Sequence, residues 1–301
     1  MTTHSSVLLP HRGVLAIAGE DRKTFLQGLV TNDVTKVAEN RAIHAAFLTP
    51  QGKFLHEFFI SERGGTLLLE GEAERIDDLR TRLSRYRLRA KVTLEVRPDL
   101  AVAVAFGAAK ATLGLPDDPG AAMPFGEGGV AFVDPRLAQA GLRFVLPREG
   151  AEAALAAAGF TATDLETWEA HRLRLGLPDG SRDLPIEKAM PMESGFEELH
   201  GIDFKKGCYI GQELTARMKY RALVKKRLMP VTIDGPLPDP GTPLTTADGK
   251  DAGEMRSGLV KEGGAIGLAL IRLEHRTGGP LQAGAALVSP VLPDWMKLQE
   301  G

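Results

Sequence analysis

The sequence predicts a mixed α+β protein that ends in an all-β domain. Up to residue 225, strand-like runs alternate with segments whose apolar residues recur at helical spacing. From residue 226 onward, short strand-like runs follow one another between Gly and Pro turns. We therefore expect a domain boundary near 222–228, with an α+β region at 1–225 and a small β-barrel or sandwich at 226–301.

The first hundred residues are predicted to form a sheet with helices packed against it. Asp21 is a residue type that favours helix N-caps, and a helix is expected to follow it from Lys23. A second helix is expected over 73–85, where apolar residues share one face. The stretch 50–53, Pro-Gln-Gly-Lys, is typical of a hairpin turn between two strands. The strands are expected at 13–19, 43–48, 54–60, 66–70 and 92–96.

The mixture of strands and helices continues to residue 175, interrupted by a Gly/Pro-rich loop at 114–129. The strands of this part are expected near 100–106, 130–133 and 142–146, and the helices at 149–158 and from Asp164 to Leu175. The C-terminal strands are expected at 228–233, 236–243, 252–260, 265–271 and 285–291. Short strands at such close spacing are typical of a small barrel or sandwich.

Composition excludes several classes of protein. The formal net charge of −2 lacks the basic surplus of a dedicated nucleic-acid binder. No run of about 18 apolar residues predicts a membrane span, and the first residues lack the regions of a signal peptide. The single cysteine, Cys208, excludes an internal disulfide and fits a reducing compartment. We therefore expect a cytoplasmic protein that binds neither nucleic acid nor membrane.

Familiar catalytic and metal-binding motifs are absent from the sequence. It contains no P-loop, no GxGxxG turn after a strand, no HExxH and no Gly-x-Ser-x-Gly elbow. The seven histidines are scattered without the spacing of metal ligands. Because an iron–sulfur cluster usually needs four thiolates, this chain by itself is not expected to hold a metal centre.

The most informative stretch is 205–213, which reads Lys-Lys-Gly-Cys-Tyr-Ile-Gly-Gln-Glu. Its two glycines allow the backbone to turn sharply and to expose the side chains between them. The two lysines favour the thiolate form of Cys208, and so does the start of a helix expected at Glu213–Tyr220. Cys208 and Lys206 are therefore the candidate catalytic residues. The alternative is a buried, apolar cysteine beside solvated lysines.

These motifs resemble the YgfZ branch of the family of glycine cleavage T-proteins (the GcvT-like family). The segment KGCYIGQE at 206–213 carries the likeness most specifically. Three weaker blocks occur in the family's order, namely 25–34, the hairpin at 47–53 and the stretch Tyr-Arg-Leu-Arg at 86–89. The wider stretch 191–217 is most similar to the folate-binding, mitochondrial-type members that help to assemble iron–sulfur clusters, and to their bacterial counterparts.

The resemblance implies a three-lobed fold, with two interleaved α+β lobes around a central folate channel and a C-terminal β-barrel. It also implies tetrahydrofolate or a derivative as cofactor. Glu193 stands where the family places a carboxylate, which could accept two hydrogen bonds from the pterin ring. The other candidate contacts are Tyr209 and Tyr86 as aromatic walls, Arg217, Lys206 or Arg221 for the glutamate tail, and Asn32 and Asp33 along the channel.

Each of these candidates has a simpler alternative. Glu193 could be a solvated loop residue or a helix-capping acid before Phe196. Asn32 and Asp33 could belong to a turn that caps itself, because both side chains readily bond to nearby backbone. Either tyrosine could be an ordinary core residue.

The chain departs from the glycine-cleaving T-proteins at two places. After the hairpin glycine Gly52, His56 and Glu57 occupy the place of an aspartate that the T-proteins need. The T-proteins also lack the cysteine of the KGC motif. Because a shift of about 1 Å can cost ~10²-fold in rate, the longer glutamate points away from glycine cleavage.

Three functions follow as hypotheses. The first is a tetrahydrofolate-binding factor that assembles or repairs [4Fe–4S] proteins through Cys208. The thiol would act as one ligand of a transient cluster bridged to a partner such as a monothiol glutaredoxin, or as a nucleophile toward a sulfur species. The second is a folate-dependent one-carbon transferase, similar to an aminomethyltransferase, with Glu57 in place of the aspartate. The third is a folate-binding module without cysteine chemistry.

Overall fold

The computed structural model of the chain describes residues 4–107, 109–221 and 223–298. Its contacts divide the chain into two compact units. Unit 1 comprises 1–50, 55–165 and 199–212, and unit 2 comprises 51–54, 166–198 and 213–301. Unit 2 thus contains a segment from the middle of the chain as well as its C-terminal part. The boundary expected near 222–228 stays a prediction.

The described strands form two open sheets and one closed barrel. The strands are β1 (Ser5–Leu8), β2 (Arg12–Ala18), β3 (Ile43–Leu48), β4 (Phe54–Arg63), β5 (Thr66–Glu72), β6 (Thr93–Val96), β7 (Leu100–Phe106), β8 (Ala122–Phe125), β9 (Gly129–Val133), β10 (Leu142–Pro147), β11 (Thr161–Ala162), β12 (Lys226–Asp234), β13 (Pro243–Thr245), β14 (Asp251–Lys261), β15 (Gly264–Arg272), β16 (Leu281–Ala283) and β17 (Ala286–Pro290). The α-helices are α1 (Arg22–Gln27), α2 (Ile76–Ser84), α3 (Ala109–Leu113), α4 (Ala151–Ala157), α5 (Leu165–Leu175) and α6 (Gln212–Tyr220). Short 3₁₀ helices lie at Val34–Lys36, Ala73–Arg75, Ala138–Ala140, Gly180–Arg182, Pro191–Ser194 and Leu273–His275.

The five-stranded sheet has the order β3-β4-β5-β2-β6 and uses all of the strands predicted in the first hundred residues. α2 buries Ile76, Leu79 and Leu83 in the core of this sheet, as their helical spacing predicts. Asp21 precedes α1, but its carboxylate accepts a hydrogen bond from the Lys91 amide at 2.8 Å and none from the helix. The expected side-chain cap of α1 is therefore wrong.

The six-stranded sheet has the order β11-β1-β7-β10-β9-β8. β1 precedes the first sheet along the chain but pairs with β7 in the second, so the two sheets interleave in sequence. β7 is buried along its whole length, which explains why it reads as a continuous apolar run. β1 was not predicted from the sequence, and neither was β8, which lies inside the loop expected at 114–129.

The C-terminal strands close into a six-stranded barrel with the order β12-β15-β14-β13-β16-β17. The strand expected at 236–243 is wrong, because prolines alternate through this stretch and supply no N–H donors to a ladder. Gly253 has a φ of +137°, and a Cβ atom there would lie 1.9 Å from the Leu270 carbonyl oxygen. Only glycine allows the two strands to approach so closely. The closed barrel confirms the all-β C-terminal part.

Candidate functional site

The cysteine segment, residues 199–212 of unit 1, presents Cys208 at the surface with its thiol exposed. Lys205 is also exposed, whereas Lys206 and Tyr209 are buried. The side chains of the motif therefore alternate between solvent and interior. The alternative of a buried, apolar Cys208 is wrong, because the thiol is exposed.

Lys206 anchors the cysteine segment from beneath. Its ammonium donates to the carbonyl oxygens of Gln27 at 2.7 Å, Val30 at 2.6 Å and Asn32 at 2.8 Å. These three bonds use all of the donors that a lysine has. Burial lowers the pKa of Lys206 to about 8, although the charge of Asp33 opposes this shift. The structure thus shows an anchoring role for the Lys206 ammonium. A catalytic role for Lys206 stays a prediction.

Asn32 makes a second connection to the cysteine segment. Its Nδ2 donates to the carbonyl oxygens of His44 and His200, both at 2.7 Å. Its Oδ1 accepts from the amide of Asp33 at 2.8 Å. Thr31 adds a bond of 2.6 Å from its hydroxyl to the Gly201 carbonyl. The amide of Asn32 is thus engaged within the chain, and its expected contact with folate stays a prediction.

Asp33 caps the 3₁₀ helix that follows it. Its Oδ1 accepts from the amide and the hydroxyl of Thr35, at 3.1 and 2.6 Å, and from Gln27 at 2.9 Å. Burial raises the pKa of Asp33, but these hydrogen bonds outweigh it and lower the pKa overall. The structure thus shows the self-capped turn that the sequence left open as an alternative.

The two candidate aromatic walls differ in exposure. Tyr209 is buried, and its ring lies 5.3 Å from the Lys206 ammonium, within the range of a cation–π contact. Tyr86 is 41% exposed and packs edge-on against Phe47. A solvent-facing tyrosine ring supported from one side is available to stack against a ligand. Of the pair, Tyr86 has the better geometry for the role that both were assigned.

Glu193 lies in unit 2, on the 3₁₀ helix Pro191–Ser194, and is half-buried. Burial raises its pKa, while the positive charges of Lys226, Lys53 and Arg256 act in the opposite direction. Among the residues that the structure describes, none hydrogen-bonds to this carboxylate or pairs with it. Glu193 is thus a carboxylate with unused acceptors and nearby cations.

The cations near Glu193 were not found from the sequence. Lys53 follows the hairpin glycine, Lys226 begins β12 and Arg256 lies within β14, so the three are far apart along the chain. Only the fold places them around one carboxylate. The predicted tail-binding residues Arg217, at the end of α6, and Arg221 are exposed in the same unit.

Glu57 and His56, the pair that replaces the T-protein aspartate, point to opposite faces of β4, as consecutive strand residues do. Glu57 is 3% exposed and pairs with Arg12 at 2.8 Å, while its other oxygen lies 3.1 Å from Nε2 of His44. Burial raises the pKa of Glu57, but Arg12 and His44 together lower it to about 2. A carboxylate held this way is a poor general base. The geometry therefore disfavours the role of Glu57 in the transferase hypothesis.

His56 faces α2, where its Nε2 lies 2.9 Å from Asp78 Oδ2. Burial and the positive charge of Arg75 lower the pKa of His56 to about 4, although the hydrogen bond to Asp78 and the charge of this residue raise it. The side chain is therefore neutral at physiological pH and contributes to packing of the helix on the sheet. Neither residue of the pair is placed for proton transfer to a ligand.

The described residues contain neither a metal-binding cluster nor a membrane-spanning helix. In 4–107, 109–221 and 223–298, no three His, Cys, Asp or Glu side chains lie close enough to hold a metal ion. No helix in these ranges is long and apolar enough to cross a membrane.

Comparisons with known proteins identify the family. A family model described as the C-terminal β-barrel domain of CAF17 matches residues 225–298. The iron–sulfur cluster assembly factor IBA57, mitochondrial, of Homo sapiens is 37% identical over 95% of this chain and 84% of its own length. The chain belongs to the CAF17/IBA57 family. The Mus musculus protein of the same name is 35% identical with the same coverage, and the Mycosarcoma maydis homolog is 30% identical over 89% and 73% of the two chains.

The fold of this CAF17/IBA57 family member is shared with a solved T-protein. Glycine cleavage system aminomethyltransferase T from Bartonella henselae aligns with a TM-score of 0.77 over 96% of this chain and 85% of that one. The two sequences are 14% identical, so the likeness concerns the fold. It confirms the predicted GcvT-like α+β fold, and the family match confirms the resemblance read from the KGCYIGQE motif.

The expected cytoplasmic location is wrong. The human, mouse and fungal relatives are all named as mitochondrial proteins. The error has a physical origin, because a single unpaired cysteine indicates only a reducing environment and does not distinguish one reducing compartment from another.

Proposed function

We propose that this chain is an assembly or repair factor for [4Fe–4S] proteins that binds tetrahydrofolate and acts through Cys208. Relatives that align over most of its length are named iron–sulfur cluster assembly factors. The observation that carries the proposal is the exposed thiol on a segment that Lys206 holds in place. An exposed thiol can reach a partner protein, and a well-supported segment presents it in a defined position.

Cys208 would supply one thiolate ligand to a cluster that is bridged to a partner protein. The thiol releases its proton to solvent as the iron–sulfur bond forms, and the remaining thiolates belong to the partner. A partner is required, because Cys208 is the only cysteine of this chain. In this scheme the cluster is cargo that passes between proteins. A monothiol glutaredoxin is the proposed type of partner.

Glu193 is the proposed anchor for tetrahydrofolate. The 2-amino group and the neighbouring ring N–H of a pterin would donate to the two oxygens of one carboxylate. Glu193 fits this requirement, because it is half-buried and no described residue uses its acceptors. Burial raises its pKa, and the positive charges of Lys226, Lys53 and Arg256 limit that rise.

Complementation of a strain that lacks its own copy of this protein tests the role of the thiol. We expect Cys208→Ala to leave [4Fe–4S] enzyme activities near those of the deletion strain, because the only thiol is lost. Ser84→Ala is the matched control, since Ser84 is also exposed and loses a single heavy atom. It should restore the activities as the unchanged chain does. Full complementation by Cys208→Ala would contradict the proposal and favour a folate-binding module without cysteine chemistry.

The bridging role has a separate biochemical test. The purified chain is mixed with a reconstituted monothiol glutaredoxin, and visible absorption is recorded for a shared cluster. The unchanged chain should shift the spectrum and form a stable complex, whereas Cys208→Ala should not. Identical spectra for the two chains would eliminate the bridging ligand and leave the nucleophile as the role of the thiol.

A further inference from the structure

Unit 2 contains a cleft beside the start of β12. Arg227 of this strand and Arg272 of the paired strand β15 both line it. Neither Glu193 nor Lys226 lines it, so the cleft does not include the carboxylate of the proposed folate anchor. Nothing in the proposed function makes use of it.

The size and floor of the cleft suit a small organic molecule. Its volume is about 530 Å³, within the range of about 300–1,000 Å³ that is usual for ligand pockets. Apolar side chains from four separate segments line it, namely Met192, Met218, Val224, Leu273 and Leu298. The two methionines are each 6% exposed, which gives the floor an adaptable, polarizable surface.

The rim of the cleft is strongly basic. Six basic and three acidic side chains line it, and one of the basic residues, Arg272, is paired with Asp251 outside the cleft, which leaves a surplus of two positive charges. The basic residues are Lys219, Lys225, Arg227, Arg272, Arg276 and Lys297. Two of the acids are already paired, Glu197 with Lys219 and Glu198 with Arg227. Lys225 and Lys297 form no ion pair with any residue in the described part of the chain.

Arg227 is the buried member of this set. It is 5% exposed, and its Nη2 lies 2.8 Å from Glu198 Oε1 without the alignment of a hydrogen bond. Its Nε and Nη2 are buried and make no hydrogen bond within the described residues. A buried guanidinium with unused donors is costly unless an acceptor is supplied. Arg227 is thus a cationic side chain beside the apolar floor of the cleft, and two of its nitrogen atoms lack hydrogen-bond acceptors in the described part of the chain.

We propose that this cleft binds a small organic phosphate, with its apolar part on the methionine floor and its phosphate at the basic rim. A phosphate carries about −1.5 to −2 charge at pH 7, which the surplus of the rim can neutralise. The planar fork of an arginine matches two phosphate oxygens at once, and lysines add charge without fixed geometry. A nucleoside diphosphate combines both required parts.

Calorimetric titration of the full-length chain tests the proposal with three probes. ADP carries the ring and the phosphates, pyrophosphate only the phosphates, and adenosine only the ring and sugar. We expect saturable binding of ADP, weaker binding of pyrophosphate and no measurable binding of adenosine. The proposal is overturned if ADP does not bind, or if adenosine binds as tightly as ADP.

A double variant locates the binding. Lys225→Ala/Lys297→Ala removes two exposed charges from the rim and should weaken ADP binding by about tenfold. Lys250→Ala is the matched control, because this exposed barrel lysine pairs with Asp248 and does not line the cleft. It should leave the affinity for ADP unchanged. Equal affinities in all three chains would place the nucleotide elsewhere and overturn the assignment.

Discussion

The surroundings of Glu57 and of Glu193 form the most instructive contrast in this protein. Both carboxylates were candidates for chemistry, and both lie near positive charges. Glu57 is almost fully buried and paired with Arg12 and His44, and its pKa falls to about 2. Glu193 is half-buried without a partner among the described residues, and its pKa rises because of burial. Glu57 therefore has its acceptors occupied within the chain, and Glu193, among the residues described, does not, which is the reason that Glu193 is the proposed ligand-binding residue.

Glu57 belongs to a buried ion cluster that joins the two sheets of unit 1. We define this cluster as Arg12, Glu57, Glu70, Asp134, Arg136 and Arg143. Glu70 accepts from Arg12 at 3.0 Å and from Arg143 Nε at 2.8 Å, and it is fully buried. Phe59 lies among the arginines, with the Arg143 guanidinium 4.0 Å from its ring centroid. The cluster contains equal numbers of opposite charges, so its groups satisfy one another.

The largest expected effect is on the free energy of unfolding, and it distinguishes the buried ion cluster around Glu57 from the surroundings of Glu193. Glu70→Ala leaves two buried guanidinium groups without their shared carboxylate, which should reduce the free energy of unfolding by about 3–5 kcal/mol. Glu193→Ala removes a carboxylate that nothing described satisfies, and should change the same quantity by less than about 1 kcal/mol. Urea denaturation followed by circular dichroism measures both. Equal losses would mean that Glu193 has a structural partner after all.

The next expected effect is on the affinity for tetrahydrofolate, which should depend on Glu193 and not on Glu57. Glu193→Gln keeps the shape of the side chain but turns one acceptor into a donor, so it should weaken tetrahydrofolate binding by roughly 10–100-fold. Glu57→Gln should leave the affinity unchanged in protein that remains folded. Equilibrium dialysis with tetrahydrofolate under anaerobic conditions gives both constants. Unchanged binding by Glu193→Gln would remove this residue from the proposed folate site.

The third expected effect is in the pH dependence of stability, and it is spread over more than two pH units. The folded-state pKa of Glu57, about 2, lies below the ordinary value of 4.5. Its contribution to stability is therefore present above pH 4.5 and is lost as the pH falls toward 2. In the unchanged chain the unfolding free energy should fall as the pH is lowered below 4.5; we call this part of the curve the acid limb. Glu57→Gln should reduce the slope of the acid limb by up to about 1.4 kcal/mol per pH unit.

Glu193 should behave in the opposite way. Its pKa is raised in the folded chain, so any contribution to stability is present at low pH and is lost as the pH rises through the raised value. Glu193→Gln should thus be at least as stable as the unchanged chain at pH 7 and should keep the steep acid limb. Parallel acid limbs for all three chains would contradict the assigned state of Glu57.

Most elements of the fold could be predicted because their signals are local. The strand at 43–48 and the helix containing Ile76, Leu79 and Leu83 follow from apolar periodicity within a few residues. β1 and β16 were missed because four and three residues carry too little pattern. The strand predicted at 236–243 was wrong because four of its eight residues are prolines, which supply no N–H donors to a sheet.

The site was predictable only in part. Cys208 was identified because its glycines and lysines are neighbours in sequence, and the structure shows it exposed as that motif predicted. The partners of Lys206 were not predictable, because Gln27, Val30 and Asn32 lie more than 170 positions away. The sequence suggested a lysine that acts on the thiol, and the structure shows one that supports the loop.

The amino-acid sequence by itself determined the family, the α+β class with its C-terminal barrel, and the position of the thiol, because each depends on residues close together in the chain. Tertiary structure alone decided which charged groups are satisfied. It paired Glu57 with Arg12, left the acceptors of Glu193 unused and gathered six basic side chains around one cleft. Such outcomes depend on long-range packing and on local dielectric, which no stretch of sequence specifies alone.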